Sequence, residues 1–203
     1  MFSTLTEIID IHPLYILHFP LFTMRKLLFI SLLIIGCTES ENQNSTKTYF
    51  DLAGIVNQQI TELNKTQPLT HKNLVIEEKK EVLNTNKIDW QKELELFLQA
   101  DLNKQSYQLS YSKEETPQMA IYTLKESENL PVKSLKIIFD EDKSVKHIEA
   151  LLQTENYLYQ SEKHLLMTLN KNHLTNYQIE GWQELFIGKK KSFKVDGIVV
   201  ATK

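Results

Sequence analysis

The carboxy-terminal half of the chain alternates polar and apolar residues, and this alternation constrains the fold more than any other feature. Successive side chains of a β-strand point to opposite faces, so a period of two indicates a strand with one buried face. The pattern begins near Ser106, where Tyr107, Leu109 and Tyr111 alternate with polar residues. Further strands are predicted at 119–124, 132–139, 145–152, 157–169, 177–187 and 192–201, the fourth of them continuous or broken near Ser161.

Short turn sequences separate these predicted strands. Pro117 and Pro131 interrupt the pattern, and the polar segments 140–143, 154–156, 170–172 and 188–190 follow further along the chain. Links this short join antiparallel neighbours, because parallel strands need long crossover connections. The sequence therefore predicts a mainly antiparallel sheet of about six to eight strands.

The last two predicted strands share one motif: aromatic, polar, branched, acidic, glycine. It occurs at 177–181 and again at 193–197. Glycine inside a strand often marks a bulge, a bend or the close approach of another backbone. Two such glycines, Gly181 and Gly197, favour a curved sheet. The alternative is that two ordinary hairpin strands share this alternation by chance.

Helical spacing appears earlier in the chain. Apolar residues between Leu52 and Leu63 predict a helix over about 49–64, with a weak capping signal in Thr48-x-x-Asp51. A second helix should open near Trp90, capped by Asn86 or Asp89. Between them, a charged run at 77–80 is either a hairpin tip or part of one exposed strand. The predicted fold class is α+β, with two amino-terminal helices packed on a curved, mainly antiparallel sheet.

Residues 24–37 carry the one cysteine of the chain. Arg25 and Lys26 precede an apolar run that is too short to cross a bilayer, and the small residue Gly36 precedes Cys37. This layout fits a secretory signal, and 34–37 resembles the lipobox of bacterial lipoproteins. The resemblance implies cleavage between Gly36 and Cys37, a diacylglyceryl group on the Cys37 sulfur, and further acylation by fatty acids such as palmitate.

The resemblance also divides the chain. We expect Met24 to be the true start, with 1–23 a misassigned extension, 24–36 the signal peptide, 37–47 a flexible polar tether and 48–203 a single α+β globular domain. The alternative to a signal peptide is that residues 11–35 form one apolar segment that spans a bilayer. Arg25 and Lys26 would then lie inside it, at a cost of about 2.5 to 3.5 kcal/mol each. Glu39 and Glu41 resemble a surface-export signal or belong to an ordinary linker.

Composition argues against one class of partner. The formal net charge is −3, and Arg25 is the sole arginine, so the predicted mature domain lacks the planar bidentate donors that recognise phosphate. Nucleic-acid binding is therefore not expected.

Candidate catalytic and metal-binding residues are few. Asp140-x-Asp142-x-Ser144 begins like a calcium loop but is more typical of a hairpin turn, since Val145 replaces the required glycine. His147 and Glu149, with His164 or His173, could form a metal site or serve a hydrolase. Scattered surface residues explain them more simply, so we expect no cofactor, no metal and no enzymatic activity.

The remaining expectation is a lipid-anchored protein of the cell envelope, at the outer membrane, that acts as an interaction or assembly module with an envelope protein partner. The alternative is a carrier or sensor for an apolar ligand, in a groove lined by Tyr107, Tyr111, Tyr157, Tyr159 and Trp182, with Tyr122. The segments Trp90-x3-Leu94-x2-Phe97 and 156–161 are similar to small Bacteroidetes lipoproteins, a resemblance that implies no activity. The expected sheet is also similar to that of periplasmic lipoprotein carriers.

Overall fold

The computed structural model describes residues 47–200, which form one nine-stranded antiparallel sheet with helices against one face. The predicted extension, signal peptide, cleavage site and lipid-attachment residue Cys37 lie outside the described residues, as does all of the tether except Lys47.

Helix α1 spans Leu52–Thr66. It begins three residues later than predicted because Asp51 is the capping residue, and its carboxylate accepts a hydrogen bond from the Gly54 amide at 3.0 Å. The helix ends at Gln67, whose φ of 43° lies in the left-handed region. The predicted apolar stripe faces the core, since Leu52, Val56, Gln59, Ile60 and Leu63 are buried.

The charged run at 77–80 is a hairpin tip. Strands β1 (Thr70–Ile76) and β2 (Lys79–Thr85) are paired, and Glu77 and Glu78 form the turn between them. The second helical segment follows this hairpin as two short helices, α2 (Trp90–Glu93) and α3 (Glu95–Gln99), with Asp89 as cap. The expectation of two amino-terminal helices is therefore wrong, because a hairpin that the sequence left ambiguous lies between them.

Seven more strands complete the sheet. They are β3 (Tyr111–Thr116), β4 (Met119–Leu124), β5 (Val132–Phe139), β6 (Val145–Glu155), β7 (Tyr159–Asn170), β8 (His173–Leu185) and β9 (Lys191–Val199). The strand order is β2-β1-β9-β8-β7-β6-β5-β4-β3, and all neighbours are antiparallel. The α+β class and the antiparallel sheet are confirmed. The predicted count of six to eight strands is wrong, because both arms of the first hairpin join the sheet.

One predicted strand segment is a turn. Gln105–Tyr107 forms a 3₁₀ helix, and Leu109 has a φ of 67°. The Ser110 amide donates to the Tyr107 carbonyl at 3.2 Å, so extended backbone begins only at Tyr111. Alternation over five residues could not separate this turn from a strand. Strand β7, in contrast, runs through Ser161 without interruption.

The sheet has two different faces. The covered face packs against the helices. The core between them contains side chains with no exposed surface from the helices (Leu52, Val56, Phe97) and from the strands (Ile137, Ile148, Met167). The alternate residues of β4 to β9 point the other way and are mostly half-buried or exposed. We call this second surface the open face.

The two glycine motifs pair with each other across β8 and β9. Tyr177 lies opposite Gly197, and Gly181 lies opposite Phe193. A Cβ atom on Gly197 would lie 2.1 Å from the Tyr177 ring, and one on Gly181 would lie 2.1 Å from the Glu162 carbonyl oxygen. The glycines therefore permit close approach, in agreement with one reading of the sequence.

Candidate functional site on the open face of the sheet

The open face of the sheet carries a surface depression between charged side chains. Strand register aligns its side chains in two rows that cross β5 to β9. The first row is Lys136, Glu149, Leu166, Gln178 and Asp196, and the second is Ser134, Leu151, His164, Glu180 and Lys194. Each row mixes aliphatic and charged groups. The open face is accordingly neither a hydrophobic core nor a fully solvated surface.

A depression of about 450 Å³ lies over this part of the sheet. Ile121, Leu151 and Leu166 supply its apolar surface, and Lys136, His164 and Glu180 supply polar groups. A second depression, of about 310 Å³, shares Leu166 and Gln178 with the first. The open face therefore offers one elongated surface with apolar patches between charges.

Charged groups on this surface form exposed ion pairs. Lys136 Nζ lies 3.3 Å from Glu149 Oε2, and Lys194 Nζ lies 3.3 Å from Glu180 Oε2. Gln178 also donates to Glu180 at 2.8 Å. Exposed pairs of this kind contribute little to stability. Their main effect here is to hold both signs of charge in fixed positions around the depression.

Glu162 is the centre of a small polar cluster beside the depression. His164 Nε2 donates to Glu162 Oε1 at 3.0 Å, and Gln153 donates to Glu162 Oε2 at 2.7 Å. These hydrogen bonds, that of His164 first, lower the pKa of the Glu162 carboxyl below its ordinary value. Trp182 lies opposite Glu162 on β8, with Lys190 Nζ 3.7 Å from the centroid of its ring system.

The candidate metal ligands are only partly brought together. His147, Glu149 and His164 all lie on the open face, but His147 is within hydrogen-bond distance of Thr168, and His164 lies opposite Leu151. His173 instead contacts Glu62 of α1 at 2.6 Å. Within residues 47–200, no three His, Cys, Asp or Glu side chains are grouped as a metal site.

The calcium-like motif forms the turn between β5 and β6. The Asp142 carboxylate accepts hydrogen bonds from the Ser144 amide at 2.9 Å and from its hydroxyl at 2.6 Å. The Asp140 amide donates to the Ser144 carbonyl, and Lys143 has a φ of 66°. These contacts close the turn on itself.

Two of the five proposed groove residues lie in the covered core. The Tyr107 and Tyr111 ring centroids are 6.1 Å apart, and Tyr49 packs edge-on against both Tyr111 and Tyr122. The Tyr111 hydroxyl donates to the Val132 carbonyl at 2.9 Å. Burial raises the pKa of the Tyr111 and Tyr122 hydroxyls well above the ordinary value.

The other three proposed groove residues lie elsewhere. Tyr157 is 84% exposed in the turn between β6 and β7, Tyr159 begins β7, and Trp182 lies on the open face. The structure therefore does not place the five residues around one groove. The open-face residues Leu166, Gln178 and Glu180 escaped sequence analysis, because alternation identifies the faces of a strand but not its neighbours.

Comparisons with known proteins give no relative for this chain: no protein family, no curated protein and no solved structure matches it. Residues 47–200 include no helix whose length and hydrophobicity would let it cross a bilayer.

Proposed function

We propose that this protein is a lipid-anchored lipoprotein of the bacterial cell envelope, at the outer membrane, and that its globular part is a non-catalytic interaction module. The anchor is Cys37, within the lipobox-like segment 34–37. The binding surface is the open face of the sheet, at the depression over β4 to β8. The protein joins that surface to the membrane through the polar tether.

The observation that carries the module proposal is the composition of the open face. Side chains of both charges alternate there with half-buried aliphatic residues such as Leu151 and Leu166. A polar protein interface has this mixture, in which apolar contacts supply affinity and fixed charges select the partner. The covered face is occupied by the helices, so the partner binds on the other side.

Site-specific photo-crosslinking in cells tests this proposal. A photoreactive amino acid replaces Gln178 on the open face, and the matched control replaces the exposed Gln99 of α3. We expect a defined protein adduct from position 178 and none from position 99. The adduct should disappear when Leu166→Glu places a charge in the depression.

Two results would count against the module. In one, neither position yields an adduct; in the other, both yield the same adducts and Leu166→Glu changes nothing. Thermal unfolding of the Leu166→Glu protein is measured in parallel, so that loss of the adduct is not mistaken for loss of the fold.

The second candidate function is a carrier or sensor for an apolar ligand. The depression of about 450 Å³ with Ile121, Leu151 and Leu166 in its surface supports it. The burial of Tyr107 and Tyr111 argues against the aromatic groove first considered for it. Native mass spectrometry after exposure to lipid decides between the two: a bound lipid that Leu166→Glu removes favours the carrier, and a ligand-free spectrum favours the module.

A further inference from the structure

Two neighbouring turns, with the last residue of β8 beside them, display five large apolar side chains to solvent. We call this group, Tyr157, Leu158, Leu185, Phe186 and Ile187, the apolar tip. Phe186 and Ile187 are 77% and 85% exposed, and Tyr157 is 84% exposed. Scattered apolar surface residues are ordinary, but a contiguous group marks an interaction site.

The apolar tip is held in place by backbone pairing. Tyr159 lies opposite Leu185 at the end of the β7–β8 ladder, and the Phe186 amide donates to the Leu158 carbonyl at 2.8 Å. In the adjoining turn, the Asn156 side chain accepts hydrogen bonds from the Leu158 and Tyr159 amides at 2.9 and 3.0 Å. These bonds fix the two turns side by side with their apolar side chains outward.

A run of three exposed lysines, Lys189, Lys190 and Lys191, follows the apolar tip after Gly188. Three carboxylates lie nearby: Glu155 and Glu184 flank Gln160 on the adjoining strands, and Glu162 lies opposite Trp182, over whose ring Lys190 stands. These carboxylates are spread over β6, β7 and β8, whereas the three lysines are consecutive, so positive charge is concentrated next to the apolar tip.

We propose that the apolar tip docks on an anionic phospholipid bilayer. Aromatic and aliphatic side chains enter the boundary between headgroups and acyl chains, where Tyr is especially favourable. Adjacent lysines gain from the negative surface potential and extend toward the headgroups along their aliphatic stems. The apolar tip and the lysine run that follows it would together supply the apolar and the electrostatic contribution to membrane binding.

This contact does not depend on acylation of Cys37. It would give the globular part a second point of attachment and a defined orientation on the membrane. A lipid anchor, where present, would raise the local concentration of bilayer around the apolar tip and strengthen a contact that is weak by itself.

A fluorescent probe on the apolar tip tests the proposal. The full chain with Cys37→Ser removes both the acyl anchor and the native thiol, and Phe186→Cys introduces one labelling site. The matched control is Glu141→Cys, in the exposed turn between β5 and β6, which lies at the opposite end of the strands. Both proteins carry an environment-sensitive dye and are mixed with vesicles of phosphatidylcholine and phosphatidylglycerol containing nitroxide-labelled lipid.

We expect a shift to shorter emission wavelength, and quenching by the nitroxide, for the Phe186 probe but not for the Glu141 probe. Both signals should be lost in vesicles of phosphatidylcholine alone and in high salt, because exposed charges are screened. The combined variant Lys189→Gln, Lys190→Gln and Lys191→Gln should bring the quenching down toward that of the control.

Three results would overturn the proposal. The first is an unchanged Phe186 probe, with Ile187→Cys giving the same negative result. The second is equal quenching at Phe186 and Glu141, which would mean that the whole chain approaches the bilayer without a preferred end. The third is a shift that appears without vesicles as the protein concentration rises, which would assign the apolar tip to contact with a second copy of this chain.

Discussion

At the scale of single residues, the contact between Gly197 and Tyr177 shows how one position fixes a larger part of the core. The Tyr177 ring passes so close to Gly197 that no side chain fits there. The ring also packs edge-on against Trp90, and its hydroxyl donates to Glu93 Oε1 at 2.7 Å. Glu93 in turn pairs with Lys72 at 2.6 Å. The ring therefore cannot move without disturbing an aromatic pair and a partly buried ion pair.

Gly197→Ala should destabilise the protein by about 1 to 3 kcal/mol, the usual range for an overpacked core. The matched control is Gly188→Ala, since a Cβ atom at Gly188 has no neighbour closer than 3.9 Å. That substitution should change the free energy of unfolding by less than about 0.5 kcal/mol. Urea unfolding measures both, and equal stability of the two variants would show that the Tyr177 ring yields at little cost.

At the scale of elements, local signals predicted most of the helices and strands. Strands β4 and β5 have the predicted bounds, because each alternates cleanly between turn residues. The Tyr107 turn was misassigned because it imitates alternation over a few residues. The predicted second helix is broken at Leu94, whose φ and ψ of −100° and 9° lie outside helical geometry. Trp90, Leu94 and Phe97 are nevertheless all buried, so the apolar spacing correctly identified the core side.

The amino-terminal cap of α1 is a testable local element. Asp51→Ala removes the acceptor for the Gly54 amide and should cost about 1 kcal/mol. Burial raises the pKa of the Asp51 carboxyl, but hydrogen bonds from Lys47 and Gly54 outweigh it, and the pKa is lowered overall. A carboxyl with a lowered folded-state pKa stabilises fully above its unfolded-state pKa, and this contribution is lost as the pH falls through the folded-state value.

The stability difference between the wild-type protein and Asp51→Ala should therefore be largest near neutral pH and should shrink in acid. Urea unfolding at several pH values measures it. Gln58→Ala, an exposed change in the same helix, serves as the control and should show little effect at any pH. If the loss of stability caused by Asp51→Ala is the same in acid as at neutral pH, the charge of the Asp51 carboxylate does not contribute to capping the helix.

At the scale of the whole molecule, the order of strands explains why the candidate site could not be predicted. Strand β1 pairs with β9, so the first strand of the described chain meets the last one. Alternation gives no information on such long-range pairing, nor on which neighbours share a row of the open face. The sequence could identify a polar strand surface but could not assemble Glu149, Leu166 and Gln178 into one row.

Buried tyrosines make the folded state sensitive to alkali. Burial raises the pKa of Tyr107, Tyr111, Tyr122 and Tyr177 above the ordinary value of about 10. A raised folded-state pKa stabilises fully below the unfolded-state value, and this contribution falls as the pH rises above about 10 toward the folded-state pKa. The free energy of unfolding should therefore decrease steadily above about pH 10.

Tyrosinate absorbance and circular dichroism, followed together through an alkaline titration, check this expectation. Part of the tyrosine absorbance should change only when the circular dichroism reports unfolding, and Tyr177→Phe should reduce that late part. Complete ionisation near pH 10 with the fold intact would contradict the packing described for these side chains.

The proposed lipid anchor determines where the whole molecule works. Thr38 to Lys47 provides ten residues between the anchor and the folded part. Such a segment reaches at most about 35 Å when fully extended. A globular part tied this closely would stay near the membrane, although Lys47 joins it beside Thr116 and Phe139, at the end of the strands opposite to the apolar tip.

Intact-mass and peptide mass spectrometry of the chain purified from the membranes of its own cells is the most direct test of that anchor. We predict a polypeptide that begins at Cys37, with a diacylglyceryl group on the sulfur and no trace of 1–36. A membrane-bound chain that still begins at Met1 or Met24 and has an unmodified Cys37 would contradict the proposal.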